Sequence, residues 1–352
     1  MTNLAWQVAV DLDRLAVWMD AQCLEVAGRI TDAVPLVGGT QNILLRFQRG
    51  TQIFVLRRSA LQAKSEVWAT IAREVRVLGA LANTSLPHPR LLATCLDETV
   101  LGAPFYLMSQ VDGFNASAKP LPALHADTPA VQQRMGFAMV DVLLELAKVD
   151  PQAVGLGDFG KPLGFLERQV ARWQKQLHSY QGLAGWPGPS SLPGVAEVAA
   201  WLEAHRPVPS RTGILHGDFH LANVMFRPDA GEIAAVIDWE LATVGDPLLD
   251  LGWLLATWPD AQGQGAGTIR VTPWRNFPTA DDLLAYYAAR STRDLSAMDW
   301  YVVLARFKLG ILLEGSYARS CAGQADPELG RQHHASAMRL FSQAQTLIAQ
   351  LA

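Results

Sequence analysis

Between Leu215 and Phe226 the chain reads Leu-His-Gly-Asp-Phe-His-Leu-Ala-Asn-Val-Met-Phe, and from Ala235 to Glu240 it reads Ala-Val-Ile-Asp-Trp-Glu. No other feature restricts the fold as much. A short loop between apolar segments places Asp218 and Asn223 five residues apart, and a buried β-strand run then ends at Asp238. Phosphoryl transfer to a hydroxyl calls for such a set. One carboxylate orients the acceptor hydroxyl and takes its proton, while an amide oxygen and a second carboxylate hold the Mg²⁺ that bridges the phosphates.

The order His-x-Asp, Asn, strand, Asp is that of the protein-kinase catalytic loop and its metal aspartate, with Gly217 where protein kinases carry Arg. The passage resembles the kinase-like small-molecule phosphotransferases, the aminoglycoside phosphotransferase and choline kinase superfamily. Together with Gly245-Asp246-Pro247-Leu248-Leu249-Asp250-Leu251, it is especially close to a bacterial branch related to the kinase-like domain fused to some acyl-CoA dehydrogenases. The likeness covers almost the whole chain.

That resemblance implies an α+β, bilobal protein-kinase-like fold. A small antiparallel-sheet N-lobe (residues 1–110) would bind the nucleotide, and a larger helical C-lobe (111–352) would carry the catalytic and acceptor sites. It implies ATP and Mg²⁺ as cofactors and a small-molecule hydroxyl as partner. Asp218 is the expected general base. His216 is the neighbouring imidazole, in a structural role that bonds the backbone near the metal aspartate. Asn223 and Asp238 are the expected Mg²⁺ ligands, hard oxygen donors that leave room for water and phosphate. Gly38 and Gly39 stand in place of the nucleotide-covering loop. Ser109, Gln110 and Val111 supply the hinge backbone that meets adenine, and Asp250 braces the catalytic loop.

Phe54-Val55-Leu56-Arg57 matches the strand that normally ends in a phosphate-binding Lys. Arg57 departs from the pattern, yet a guanidinium keeps the charge and adds a two-pronged donor. Its expected partner is Glu74. Arg58, one residue on, points to the opposite face. The Arg leaves open a second reading, a nucleotide-binding pseudokinase acting as a regulator. A third comes from His216, Asp218 and His220, a His-x-Asp-x-His run that could chelate a metal in a hydrolase. His88, His125, His178 and His205 stand isolated and offer no second cluster.

Composition narrows the partners. A net charge of −4 and 18% charged residues provide no basic excess for nucleic acid. Three scattered cysteines fit a reducing cytoplasm. The N-terminus lacks signal-peptide blocks, and the apolar run Trp300–Leu313 is broken by Arg306 and Lys308, so no segment should span a membrane. Oligomeric state is not legible.

Apolar spacing predicts a leading helix from Leu12 to Cys23, a hairpin over 43–58 turning at Arg49-Gly50, and a helix from Glu66 to Leu81. A strand pair follows at Leu91–Leu96 and Pro104–Ser109, then a hinge and loop from Val111 to Thr128. Helices are expected at 130–148, 163–180 and 195–205, and from about Leu248, Ala280, Ala297 and Pro327. A surface loop is expected at 182–194. Asp246 before Pro247 reads as an N-cap. The acceptor is expected between the catalytic loop and the segments 159–180 and 308–319. Those segments carry Arg168, Arg172, Trp173, Lys175, Lys308, Tyr317 and Arg319, with Arg306 just outside and Glu167 and Glu314 among them. The basic lean suits an anionic or CoA-linked hydroxyl compound slightly better than an aminoglycoside; the branch resemblance implies a hydroxyacyl acceptor, and the superfamily resemblance an aminoglycoside.

Overall fold

In the first hundred residues, side chains alternating along the strands separate a dry core from a cleft. The computed structural model describes residues 5–22, 24, 26–36, 42–59, 65–208 and 211–351. Two short helices, α1 (Ala5–Ala9) and α2 (Leu12–Asp20), lead into β1 (Ile30–Pro35), β2 (Asn42–Arg49) and β3 (Gln52–Ser59). Then come α3 (Ser65–Leu81), β4 (Leu91–Cys95), α4 (Glu98–Leu101) and β5 (Phe105–Ser109). The strands form one antiparallel sheet in the order β1-β2-β3-β5-β4. Leu45 pairs with Leu56, and Leu56 with Leu107. These three, with Phe47, Phe54 and Phe105, are buried against Leu15 and Met19 of α2. The other face carries Leu44, Arg46, Val55, Arg57, Tyr106 and Met108 into a cavity of about 360 Å³. A period of two therefore places Arg57 in the cleft and Arg58 in the dry layer, where its Nη1 donates to the Ser59 carbonyl at 2.7 Å.

The hairpin, α3 and the β4–β5 pair lie where the sequence places them. β1 is additional. It is a half-exposed edge strand with a register shift between Thr31 and Val34, and Asp32 has a positive φ of 52°, so it has no clean alternation to read. The leading helix stops at Asp20.

The C-lobe follows with α5 (Ala123–Asp127), α6 (Pro129–Leu146), α7 (Gln169–Ser179), α8 (Val195–Ala204), β6 (Gly213–Leu215), β7 (Val224–Phe226), β8 (Ile233–Val236) and β9 (Thr243–Gly245). It ends with α9 (Leu248–Thr257), α10 (Ala280–Ala288), α11 (Met298–Cys321) and α12 (Pro327–Leu351). β6 pairs with β9 and β7 with β8, so two small two-stranded sheets hold the loops of interest. The hinge segment is tied to one of them, since Phe114 exchanges backbone hydrogen bonds with Phe226 at 3.0 and 2.8 Å. Among the described residues no helix is long and apolar enough to cross a membrane.

Three expectations need correction. α7 starts at Gln169 rather than near Leu163, because Pro162 and Gly164 (φ +63°) turn the chain first. The 182–194 segment is not purely a surface loop. Trp186 is buried and donates to Glu314 Oε1 at 2.6 Å. Asp246 is not the residue flanking α9, but its Oδ1 still accepts from Leu248 N at 3.1 Å, and its Oδ2 accepts from the Tyr301 hydroxyl at 2.8 Å.

α11 packs closely on α12 at Gly310, where an added Cβ would lie 2.7 Å from the Phe341 ring. Gly310→Ala should therefore destabilise the protein by about 1–3 kcal/mol through overpacking, despite the better helix propensity of Ala. Urea denaturation checks this, and an unchanged midpoint would refute the close approach.

Candidate active site

The catalytic loop leaves β6 at Leu215, and its backbone is fastened on several sides. The buried carboxylate of Asp250, in the first turn of α9, accepts from His216 N at 2.6 Å and Gly217 N at 2.9 Å. Burial pushes the Asp250 carboxyl up, against the pull of His216 and the two N–H groups. Gly217 has φ +84°, and a Cβ there would stand 2.5 Å from the Leu241 carbonyl oxygen, so a side chain is excluded on both counts. His216 is fully buried. Its Nε2 donates to the Ile237 carbonyl at 2.9 Å, and its Nδ1 accepts from Asp218 N at 3.3 Å. Both ring nitrogens are thereby occupied, and the imidazole ties the catalytic loop to the strand end that carries Asp238.

Asp218 and Asn223 meet directly. Asn223 Nδ2 donates to the Asp218 carbonyl and to Asp218 Oδ2, both at 2.9 Å, which leaves the amide oxygen for another partner. His220 Nε2 lies 3.3 Å from Asp218 Oδ1. Burial would raise the Asp218 carboxyl, but His220, Lys308 and His216 together hold it below the usual carboxylate range. Such a carboxylate stays ionised at neutral pH, is a weak base and is a firm hydrogen-bond acceptor. Asp238 sits in the left-handed region (φ 67°, ψ 61°), a strained conformation for a residue with a side chain. With Asn223 it lines the 360 Å³ cavity.

Arg57 links the lobes. Its Nη2 donates to Asp238 Oδ1 at 2.9 Å and Glu240 Oε2 at 3.0 Å. Its Nε stands 3.0 Å from Glu74 Oε2, an ion contact rather than an aligned hydrogen bond. Burial would lower the guanidinium pKa, but Glu74, Tyr106 and Asp238 raise it instead. Burial lifts the Glu74 carboxyl to about 7, with Arg57 pulling the other way. Ser109, Gln110 and Val111 line the same cavity, along with Leu36, Leu78 and Pro89. The Gln110 side chain accepts from Arg46 Nε at 2.8 Å, and the Ser109 N–H is taken by the Arg90 carbonyl. Gly38 and Gly39 lie outside the described residues.

The structure thus brings Asn223, Asp238, Arg57, Glu74 and the hinge residues to one cavity, with Asp218 joined to it through Asn223 and His216 buried behind it on the Ile237 carbonyl. It does not bring all the acceptor candidates there. Glu314 is buried between Trp186 and His334, Arg306 reaches the Gln343 carbonyl on α12, and Arg168 folds back onto the carbonyls of Lys161 and Leu163. Sequence reasoning missed Asn115, whose Nδ2 donates to the Ala222 carbonyl at 2.5 Å. It also missed Arg73, whose Nη2 donates to the Ala242 carbonyl at 2.9 Å. Both act on backbone atoms, for which a sequence carries no pattern.

The hydrolase reading fails on this geometry. His216 has no free nitrogen to coordinate a metal, and among the described residues no three His, Cys, Asp or Glu side chains are arranged to hold one. An amide oxygen and one carboxylate facing a cavity fit Mg²⁺, which fills its remaining sites with water and phosphate.

Residues 32–301 match the phosphotransferase enzyme family, APH. Mouse acyl-CoA dehydrogenase family member 10 is 33% identical over 269 residues, 74% of this chain and 24% of that protein. Rat acyl-CoA dehydrogenase family member 11 is 30% identical over 295 residues, 82% and 37% respectively. The chain therefore spans a minor part of the length of these relatives. A Ralstonia eutropha structure assigned to the aminoglycoside phosphotransferases superposes with a TM-score of 0.77 and 28% identity, covering 96% of this chain and 98% of that one. A thermostable APH(4)-Ia, solved with AMP-PNP and hygromycin B, shares the fold at TM-score 0.62 and 18% identity, covering 95% and 99%. The sequence motifs, the two-lobed fold and these matches agree: the chain belongs to the phosphotransferase enzyme family.

Proposed function

We propose that this protein transfers the terminal phosphoryl group of ATP, with Mg²⁺, to a hydroxyl of an anionic small molecule. The observation that carries this reading is the contact of Asp218 with Asn223 at the end of a nucleotide-sized cavity that also presents Asp238 and Arg57. The apolar walls at Leu44, Val55, Leu78 and Met108 suit a purine, and the hinge at Ser109–Val111 provides the backbone edge for it.

Asn223 and Asp238 would hold the metal, which when bound neutralises phosphate charge. Arg57 supplies a fixed cation at the phosphate end of the cavity, and Glu74 steadies it from the N-lobe. Asp218 accepts a hydrogen bond from the acceptor hydroxyl and points its oxygen at phosphorus. The bond from that oxygen to phosphorus forms as the bond to the nucleoside diphosphate breaks, and the hydroxyl proton passes to the Asp218 carboxylate and on to water. A loose transition state places little demand on basicity, so a depressed carboxylate pKa is compatible with the task.

On the acceptor side, Lys308 stands near Asp218, with Arg172 close to Lys308 and Trp173 and Trp253 packed against it. Such surroundings repel a polyamine. They favour a carboxylate- or phosphate-bearing acceptor, and a CoA-linked hydroxyacyl compound accords with relatives named as acyl-CoA dehydrogenase family members. This acceptor class differs from the hygromycin B held by the APH(4)-Ia neighbour.

Asp218→Ala should leave the Mg·ATP dissociation constant within about threefold while lowering turnover at least about 10²-fold, as expected for a lost proton acceptor. Calorimetry and phosphoryl-transfer assays on both proteins decide it, and equal turnover would remove Asp218 from the mechanism. Screening labelled ATP against hydroxyacyl-CoA and aminoglycoside panels tests the acceptor class, with label expected on the former alone.

Arg57→Met should also separate by pH. Glu74 is raised in the fold, so its contribution to stability is present below its unfolded pKa and is lost as pH rises toward about 7, after which wild type levels off. Without Arg57 the carboxyl rises further and the decline continues above pH 7. Denaturation midpoints from pH 5 to 9 check this, and parallel curves for the two proteins would contradict it.

A further inference from the structure

Lys308 projects from the middle of α11 toward the catalytic loop. Its Nζ donates to the carbonyl oxygen of Gly217 at 2.9 Å and stands 4.0 Å from the Trp253 ring centroid and 5.4 Å from that of Trp173. With Gln169, Leu215 and Asp250 it borders a cavity of about 50 Å³ beside the loop. This is a costly place for an amine. Burial lowers its pKa to about 8, Asp218 and Asp250 pull it up, and Arg172 adds to the lowering. A side chain needed only to fill space between two tryptophans would be cheaper as Met or Leu.

The atom it grips explains the placement. The Gly217 carbonyl belongs to the same peptide unit as the Asp218 N–H, and that N–H is held by His216 Nδ1. The preceding unit is held through Gly217 N by Asp250. Gly217 lacks a side chain to resist rotation, so the orientation of the 217–218 unit depends on these bonds. A flip of that unit would swing Asp218 away from Asn223.

We infer that Lys308 is a positioning residue for Asp218: it locks the 217–218 peptide from the acceptor side and sets a positive charge beside the carboxylate. This rests on the phosphotransferase reading above, with Asp218 as the group that meets the acceptor hydroxyl. The lysine belongs to a helix far along the chain from the motif it serves, and no residue pattern in the loop announces it.

The test compares wild type, Lys308→Met and Lys308→Arg. It measures Mg·ATP affinity by calorimetry, ATP turnover at saturating Mg·ATP, thermal unfolding, and amide hydrogen exchange over residues 215–219. Lys308→Met should bind Mg·ATP within about threefold of wild type and unfold cooperatively. Its kcat should fall by roughly 10²-fold, the loss that an ångström of misplacement costs. Exchange at 215–219 should speed up, and Lys308→Arg should recover part of both losses. Wild-type kcat in Lys308→Met, or unchanged exchange at 215–219, overturns the inference. A fall in affinity and stability in step with kcat, not reversed by Arg, also overturns it, because the lysine would then be structural. Failure of wild type itself to bind Mg·ATP condemns the phosphotransferase reading, and this inference with it.

Discussion

The Arg57 guanidinium joins the two lobes at the site. Arg57 comes from the N-lobe sheet, and its carboxylate partners come from both sides of the cleft: Glu74 from α3, Asp238 and Glu240 from the turn that follows β8. Buried charge is tolerable only when paired, and here no carboxylate of the group could be left with the others without the cation between them. The pattern also accounts for Arg where the general strand motif ends in Lys. A point charge on a flexible stem could meet one or two carboxylates, whereas a planar fork meets Glu74 along one edge and the Asp238–Glu240 pair at its far nitrogen. Glu240 is then the residue that accompanies Arg57.

The second constraint is the catalytic loop, which is rigid because nearly every backbone group around Asp218 has a named partner. Asp250 takes two N–H groups, His216 bridges to Ile237, Asn115 holds the Ala222 carbonyl and Lys308 holds that of Gly217. Preorganisation of this kind fixes the distance between Asp218 and Asn223 before any ligand arrives, and positioning is the chief contribution a protein makes to phosphoryl transfer. The cost appears as strain at Asp238 and as desolvation at Asp250, Glu74 and Lys308.

Much of this was legible in the residues. The His216–Asn223 loop and the strand ending at Asp238 announce themselves because side-chain chemistry at fixed spacing leaves few alternatives. Strict alternation over β2 and β3 assigned Arg57 to the cleft and Arg58 to the core. What was not legible shares one cause, dependence on backbone atoms or on distant contacts. β1 is an irregular edge without alternation, and α7 is shortened by a turn that Pro162 and Gly164 impose. Asn115 and Arg73 act on carbonyl oxygens. Glu314 and Arg306 share α11 with Lys308, yet helical rotation sends them to Trp186 and to α12 instead of the site, and mixed patterning along α11 gave no means to tell the three apart.

The measurement that bears most directly on the account is thermal stability with ATP, with and without Mg²⁺, for wild type and Asp238→Ala. A ligand at a hundred times its dissociation constant stabilises the native state by about 2.7 kcal/mol. The account predicts a Mg²⁺-dependent upward shift in wild type that Asp238→Ala loses. No shift in wild type under any metal condition, or the same shift in both proteins, would contradict a nucleotide site completed at Asn223 and Asp238.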